Sequence, residues 1–169
     1  MEDNSRVFDN ISDGKGGGVA VNGGSFIMQD NATVSGNSAH DGGGVYVQNG
    51  SFTMNGGEIS GNKARGRYDE SYVIYGGGVL VDGGSFIMNG GVISRNTTDF
   101  NGVGDATSGG GVATISGAFK KTGGTIYGSD AGEDLKNVAK SGAAVYRFLG
   151  KRDATAGPNM NTDNLMFWE

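Results

Sequence analysis

Short runs of alternating apolar and polar residues recur along the chain in a fixed order. Val19-Ala20-Val21, Val45-Tyr46-Val47, Val79-Leu80-Val81 and Val112-Ala113-Thr114 each follow a glycine triplet, and a worn fifth copy reads Gly142-Ala143-Ala144-Val145-Tyr146. Each of the first four runs is followed by a second anchored on phenylalanine: Phe26-Ile27-Met28, Phe52-Thr53-Met54, Phe86-Ile87-Met88 and Phe119-Lys120-Lys121. A third run carries one branched residue, Val34, Ile59, Ile93 or Ile126. Alternation with period two predicts three short strands per repeat, with Val45, Val47, Phe52, Met54, Ile59 and their equivalents facing inward. Ser25, Ile27, Ser51, Thr53, Ser85 and Ile87 then face outward. Gly-Gly and Asn-Gly pairs separate the runs, as at Asn49-Gly50 and Gly56-Gly57, where corners favour positive φ.

Self-similarity at this period is the signature of a solenoid. The expected fold is all-β: a right-handed single-stranded parallel β-helix of about five coils, each strand stacking on its counterpart about 4.8 Å away. The phenylalanines should form a stack along the axis. Asn37, Asn62 and Asn96 close the third strand in the pattern Val/Ile-Ser-x-Asn, and stacked amides there would bond coil to coil as a structural ladder.

The coils differ in length at one place. Glycine triplets begin at Gly16, Gly42, Gly76 and Gly109, and the worn copy at Gly142, giving spacings of 26, 34, 33 and 33 residues. The extra residues, Lys63 to Tyr75, Thr97 to Ser108 and Ala131 to Ser141, follow the asparagine corner in each case, so the insertions should emerge side by side on one edge. In the last insertion, Glu133 to Lys140 has acids first and lysine last, with Gly142 beyond. That order predicts one short helix with Leu135, Val138 and Ala139 against the barrel.

Val7-Phe8-Asp9-Asn10 aligns with Ile59-Ser60-Gly61-Asn62, so the chain is expected to open on the third strand of an incomplete coil. Such an end exposes backbone edges, which predicts end-to-end self-association or excision from a longer array. Residues 1–150 are read as the β-helix repeats and 151–169 as a degraded last coil, with Arg152 in the place of phenylalanine and Leu165, Met166, Phe167 and Trp168 as a cap or tail.

Composition narrows the function classes. Thirty-five glycines fall at fixed offsets and so act as turn punctuation, while a hydrophobic fraction of 36% is low for a globule but suits a solenoid. A net charge of −5 argues against a nucleic-acid partner. No apolar run reaches the length of a membrane span. With no cysteine, thiol catalysis and thiolate metal sites are excluded. His40, the one histidine, is expected to be a surface loop residue, and neither a metal nor a cofactor is expected.

Glycine triplets followed by a branched residue, with Phe52-Thr53-Met54-Asn55 and Phe86-Ile87-Met88-Asn89 downstream, resemble the repeats of chlamydial polymorphic outer-membrane proteins and of other large bacterial surface proteins. Phe26-Ile27-Met28-Gln29 departs by one amide, and Phe119-Lys120-Lys121-Thr122 keeps only the phenylalanine. The resemblance covers roughly Val7 to Gly150. It implies the pectin-lyase-like solenoid and an extracellular or bacterial cell-surface setting, as an autotransporter-like passenger; it implies no particular ligand.

Polysaccharide lyases and hydrolases share that architecture and would need grouped carboxylates. The outward strand positions carry none, and Glu58 and Asp82 belong to different coils, so no catalytic residue is expected. Binding is the remaining expectation. The first insertion joins Arg65, Arg67, Tyr68 and Tyr72, and the next brings Asp99 and Phe100 alongside; arginine and aromatic rings are enriched at protein contacts and stack on sugars. The competing expectation is that Tyr72, Ile74 and Tyr75 form an extra strand packing on the barrel. The chain therefore reads as a non-catalytic structural or adhesive segment whose partner is a protein or glycan on another cell surface, with a carbohydrate-binding or carbohydrate-active module as the alternative.

Overall fold

The computed structural model describes residues 1–66, 73–99, 107–149 and 152–155. The fold is all-β and its sheets are mostly parallel, with no helix among the described residues. Each strand pairs in parallel with its equivalent one repeat later. The third strands form a five-stranded sheet, Arg6–Phe8, Thr33–Ser35, Glu58–Ser60, Val92–Ser94 and Thr125–Ile126. Its register aligns Val7, Val34, Ile59, Ile93 and Ile126 in one column. First and second strands share one larger sheet, in which Val19, Val45, Val79, Val112 and Val145 align.

The inward residues expected from alternation make one continuous core: Val45, Val47, Phe52, Met54 and Ile59 are buried together with most of their equivalents, and Val7, Val19, Phe26 and Phe119 pack half-buried against them. Phe26, Phe52, Phe86 and Phe119 stack along it with centroid spacings of 5.2, 4.6 and 5.0 Å. In the third and fourth repeats the two predicted strands fuse into ten-residue strands, Val79–Met88 and Val112–Lys121. The corner survives only as register shifts around Asp82, because pairing resumes on both sides of Gly83-Gly84.

The structure adds a sheet that alternation does not predict. Ser38–Ala39, Lys63–Arg65 and Thr97–Asp99 pair in parallel, so the insertions begin as strand before they leave the stack. The middle glycine of each triplet makes room for this sheet. A Cβ at Gly43 would lie 2.4 Å from the Lys63 carbonyl carbon, and Gly17, Gly77 and Gly110 meet Ser38, Thr97 and Val138 in the same way.

The asparagine ladder is longer than expected. Asn10, Asn37, Asn62, Asn96 and Asn137 follow one another, each Nδ2 donating to the next Oδ1 at 2.8 to 3.0 Å. Each Oδ1 also accepts the preceding backbone N–H, at 2.9 to 3.0 Å. The Nδ2 groups of Asn62, Asn96 and Asn137 further donate to the carbonyls of Val34, Ile59 and Ile93. These amides are buried yet fully bonded, which removes the penalty for their burial.

Asn137 corrects the expected helix. The segment around it is a turn, and Asn137 enters the core as the last ladder member while Leu135 and Val138 are 39% and 41% exposed. A bonded amide at a corner defeats the helical charge pattern because it completes a row already in place. At the far end, Val145–Leu149 continues the first-strand stack but pairs antiparallel with Arg152–Thr155. Arg152 therefore does not extend the second-strand stack. Leu165, Met166, Phe167 and Trp168 lie outside the described residues.

Two predictions follow from the core. Asn62→Ala strips donors and acceptors from Asn37 and Asn96 and should lower stability by at least about 2 kcal/mol in urea unfolding. Thr114 occupies the column of Val47 and Val81, is buried, and its Oγ1 has no partner among the described residues. Thr114→Val should raise stability by about 1 kcal/mol in the same measurement.

Candidate functional site

Of the residues expected to bind, Arg67, Tyr68, Tyr72 and Phe100 lie outside the described residues. Arg65 and Asp99 do come together, as register partners on neighbouring strands of the three-stranded sheet. Asp99 is ion-paired to Lys63 and its carbonyl accepts the Gly66 N–H at 3.4 Å. Arg65 is exposed and, with His40 and Asp13, borders a small recess of about 160 Å³.

The competing expectation holds for part of the first insertion. Ile74–Tyr75 is a strand, paired with Thr107–Ser108, and Ile74 is buried. This strand lies beside a second apolar cluster, Tyr46, Leu80, Ala113 and Tyr146, on the outer face of the first strands; Tyr75 and Tyr146 rings are 5.9 Å apart. From Tyr46 onward the outer face of the first strands is therefore packed, not solvated, whereas Ile27 on the second strands is 47% exposed.

A polar belt fastens this packing. Asp41 is buried and accepts the Tyr75 N–H at 2.9 Å, with the His40 Nδ1 3.4 Å away on its other oxygen. Lys15 reaches Asp82 at 3.3 Å and Asp41 at 3.9 Å, while Ser116 and Tyr46 donate to Asp82. Burial raises the Tyr46 phenol pKa, Lys15 lowers it, and the negative charges of Asp82 and Asp41 raise it again, leaving a net rise. His40 is thus a packed residue, only 8% exposed, and not a surface loop histidine. Carboxylates from different repeats do meet here, which sequence spacing hides, but each is already engaged by its neighbours.

A groove of about 570 Å³ lies on the outer face of the five-stranded sheet, lined by Asp30, Thr33, Glu58, Arg95, Tyr127 and Leu135 among others. Arg95 Nη2 donates to Glu58 Oε1 at 2.6 Å. Burial pulls the Glu58 carboxyl upward, but hydrogen bonds from Ser60, Arg95 and Ser94 and the Arg95 charge outweigh it, so the group ends below its ordinary value of 4.5. The Tyr127 backbone is fixed from both sides: its N–H donates to Ile93, and its carbonyl accepts from Asn137 Nδ2 at 2.7 Å. The Arg95 N–H donates to the Leu135 carbonyl at 3.1 Å. None of these groove residues was expected from the sequence, although one signal was present: the pattern Ser-Gly-Asn at residues 35–37 and 60–62 becomes Ser94-Arg95-Asn96.

Among the described residues, no group of three His, Asp or Glu side chains is placed to hold a metal ion, and no helix is long and apolar enough to cross a membrane. No protein-family model matches the chain, and no curated protein or solved structure matches it.

The lowered Glu58 carboxyl gives a signed prediction. A group whose folded pKa is depressed adds stability that is present above its unfolded value and lost as pH falls through the folded one. The stability advantage of the wild type over Glu58→Gln should therefore be present at neutral pH and decline as pH falls below the ordinary value of 4.5, measured by denaturant unfolding from neutral pH into the acid range.

Proposed function

We propose that the chain is a non-catalytic structural and adhesive segment of a bacterial surface or secreted protein, resembling chlamydial polymorphic outer-membrane repeats. Its finer fold is then a right-handed single-stranded parallel β-helix of the pectin-lyase kind. Parallel pairing of each strand with its equivalent one repeat later supports the solenoid, and right-handed is the hand that parallel crossover connections take.

The observation that carries the adhesive reading is the stacking of successive insertions. Lys63–Arg65 and Thr97–Asp99 lie in register on one edge, with Arg65 exposed. The same two insertions carry Arg67, Tyr68, Tyr72 and Phe100, residue types that dominate protein contacts. The partner is then a protein or glycan on another cell surface. Non-catalytic character is supported by the engagement of Asp41, Asp82 and Glu58 by neighbouring donors.

Beads coated with the chain should adhere to cultured epithelial cells. A triple variant, Arg65→Ala, Tyr68→Ala, Tyr72→Ala, should lose about tenfold or more of that adherence at an unchanged melting temperature. Non-adherent wild-type beads would overturn the adhesive reading.

Contact between copies belongs to the same proposal. Arg6–Phe8 pairs with Thr33–Ser35 on one side of the five-stranded sheet, and Phe8 and Ile11 near that end are 51% and 77% exposed. An open strand edge with apolar neighbours favours pairing with a second chain. Light scattering should show mass rising with concentration, and the double variant Phe8→Lys, Ile11→Lys should abolish the rise.

A further inference from the structure

We propose that the groove on the outer face of the five-stranded sheet is a binding site for a neutral oligosaccharide, with Arg95 and Tyr127 as its principal contacts. This goes beyond the adhesive edge, because the groove lies on a different sheet and uses none of Arg65, Arg67, Tyr68, Tyr72, Asp99 or Phe100.

The first observation is conformational. Five non-glycine residues have left-handed backbone among the described residues: Asp3, Asp9, Asp30, Asn49 and Arg95. Asp and Asn tolerate that region, whereas arginine gains nothing there. The repeat itself gives the reference, since Gly36 (φ 66°) and Gly61 (φ 63°) occupy the same corner in the two preceding repeats, and Arg95 holds φ 58°. A Cβ at Gly61 would meet nothing closer than 3.9 Å, so backbone conformation, not crowding, is what favours glycine there. A long cation kept at a strained corner, where its neighbours have the unstrained choice, points to a role for its side chain.

The second observation is what the strained corner builds. Arg95 sets a planar donor beside the Glu58 acceptor, and Tyr127 adds a half-buried ring whose backbone is locked by Asn137. Asp30 brings a second carboxylate to the same surface, while the Ser94 hydroxyl is buried beneath it and donates to Glu58. Side chains from four successive repeats line the groove, which makes it about 14 Å long at the usual strand spacing. A ring to stack on, with the Arg95 donor and the Glu58 and Asp30 acceptors along a strip of that length, suits a chain of three or four sugars.

Two further points select the ligand. The inner strands of this sheet are paired on both sides, so an extended peptide finds no free edge there to join. Asp30 and Glu58 outnumber Arg95 among the charges lining the groove, in a chain of net charge −5, so uronate or sialylated chains are disfavoured and neutral sugars are not.

The test is calorimetric titration of the full chain with cello-, xylo- and laminari-tetraose beside tetragalacturonate, with thermal melts of every variant. At least one neutral tetrasaccharide should bind more tightly than tetragalacturonate. Arg95→Gly should weaken that binding about tenfold or more while leaving the melting temperature unchanged or raised, because the variant relieves the left-handed arginine. Tyr127→Ala should weaken it similarly, and Tyr127→Phe should not. The triple variant of the insertion edge should bind the sugar as the wild type does, which separates this site from the adhesive one. Absence of binding by all three neutral sugars, preference for tetragalacturonate, or wild-type affinity in Arg95→Gly would each overturn the proposal. If Arg95→Gly instead melts lower, undiminished binding by folded Tyr127→Ala would overturn it.

Discussion

The rest of the structure depends on a row of buried amides pressed against glycine. From Asn37 onward, each ladder asparagine fills its acceptor with two N–H groups from the preceding repeat, and its amide also donates back to that repeat. The third glycine of the triplet lies against that amide. A Cβ at Gly44 would sit 3.0 Å from the Asn62 Cγ, and Gly18, Gly78 and Gly111 meet Asn37, Asn96 and Asn137 likewise. Ladder and triplet are thus two halves of one contact, renewed in every repeat. Shifting a single repeat out of register would unpair a buried amide, an expensive fault in a medium of low polarity. The hydrophobic column alone would tolerate such a slip more readily, since phenylalanine stacks in many poses. Register in this stack is set by polar geometry and filled in by apolar burial.

That division explains why repeats of unequal length coexist. The contacts that fix register run from the glycine triplet to the asparagine, and in the repeats ending at Asn37, Asn62 and Asn96 this stretch keeps nearly one length; only before Asn137 is it extended, by a turn outside the stack. Chain between the asparagine and the next triplet carries no ladder constraint, so residues accumulate there without disturbing the core. Ile74–Tyr75 shows what happens when an insertion returns: it docks on Asp41 and on the outer apolar cluster instead of intruding into the stack.

Columns that repeat were legible in the sequence. Val45, Phe52, Met54, Ile59 and their equivalents could be placed because the same residue type recurs at the same offset. The three-stranded sheet was not legible, because each of its strands offers a single small inward residue, Ala39, Ala64 or Thr98, and no apolar alternation. Asn137 was hidden for a different reason: it follows the branched residue of its third strand, Ile126, by eleven residues, where Asn96 follows Ile93 by three, inside a charge pattern that imitates a helix. The groove escaped notice because its members come from different repeats and do not recur. A search for repeated features passes over sites built from exceptions.

Exceptions in such a chain are nevertheless the informative positions, because each repeat is a control for the next. Thr114 departs from a valine column and leaves a hydroxyl with no partner among the described residues, a departure that weakens the core and builds nothing in exchange there. Lys121 departs from the methionine column, is nearly buried, and its aliphatic stem occupies comparable space. Arg95 differs from both. Its departure strains the backbone, yet it forms an ion pair across repeats, lies against the Leu135 turn and faces an open groove with a fixed tyrosine beside it. Relaxed packing accounts for a substitution that loses a contact; it does not account for one that adds strain and contacts together. The difference between these two kinds of departure separates drift within the repeat from construction on its surface.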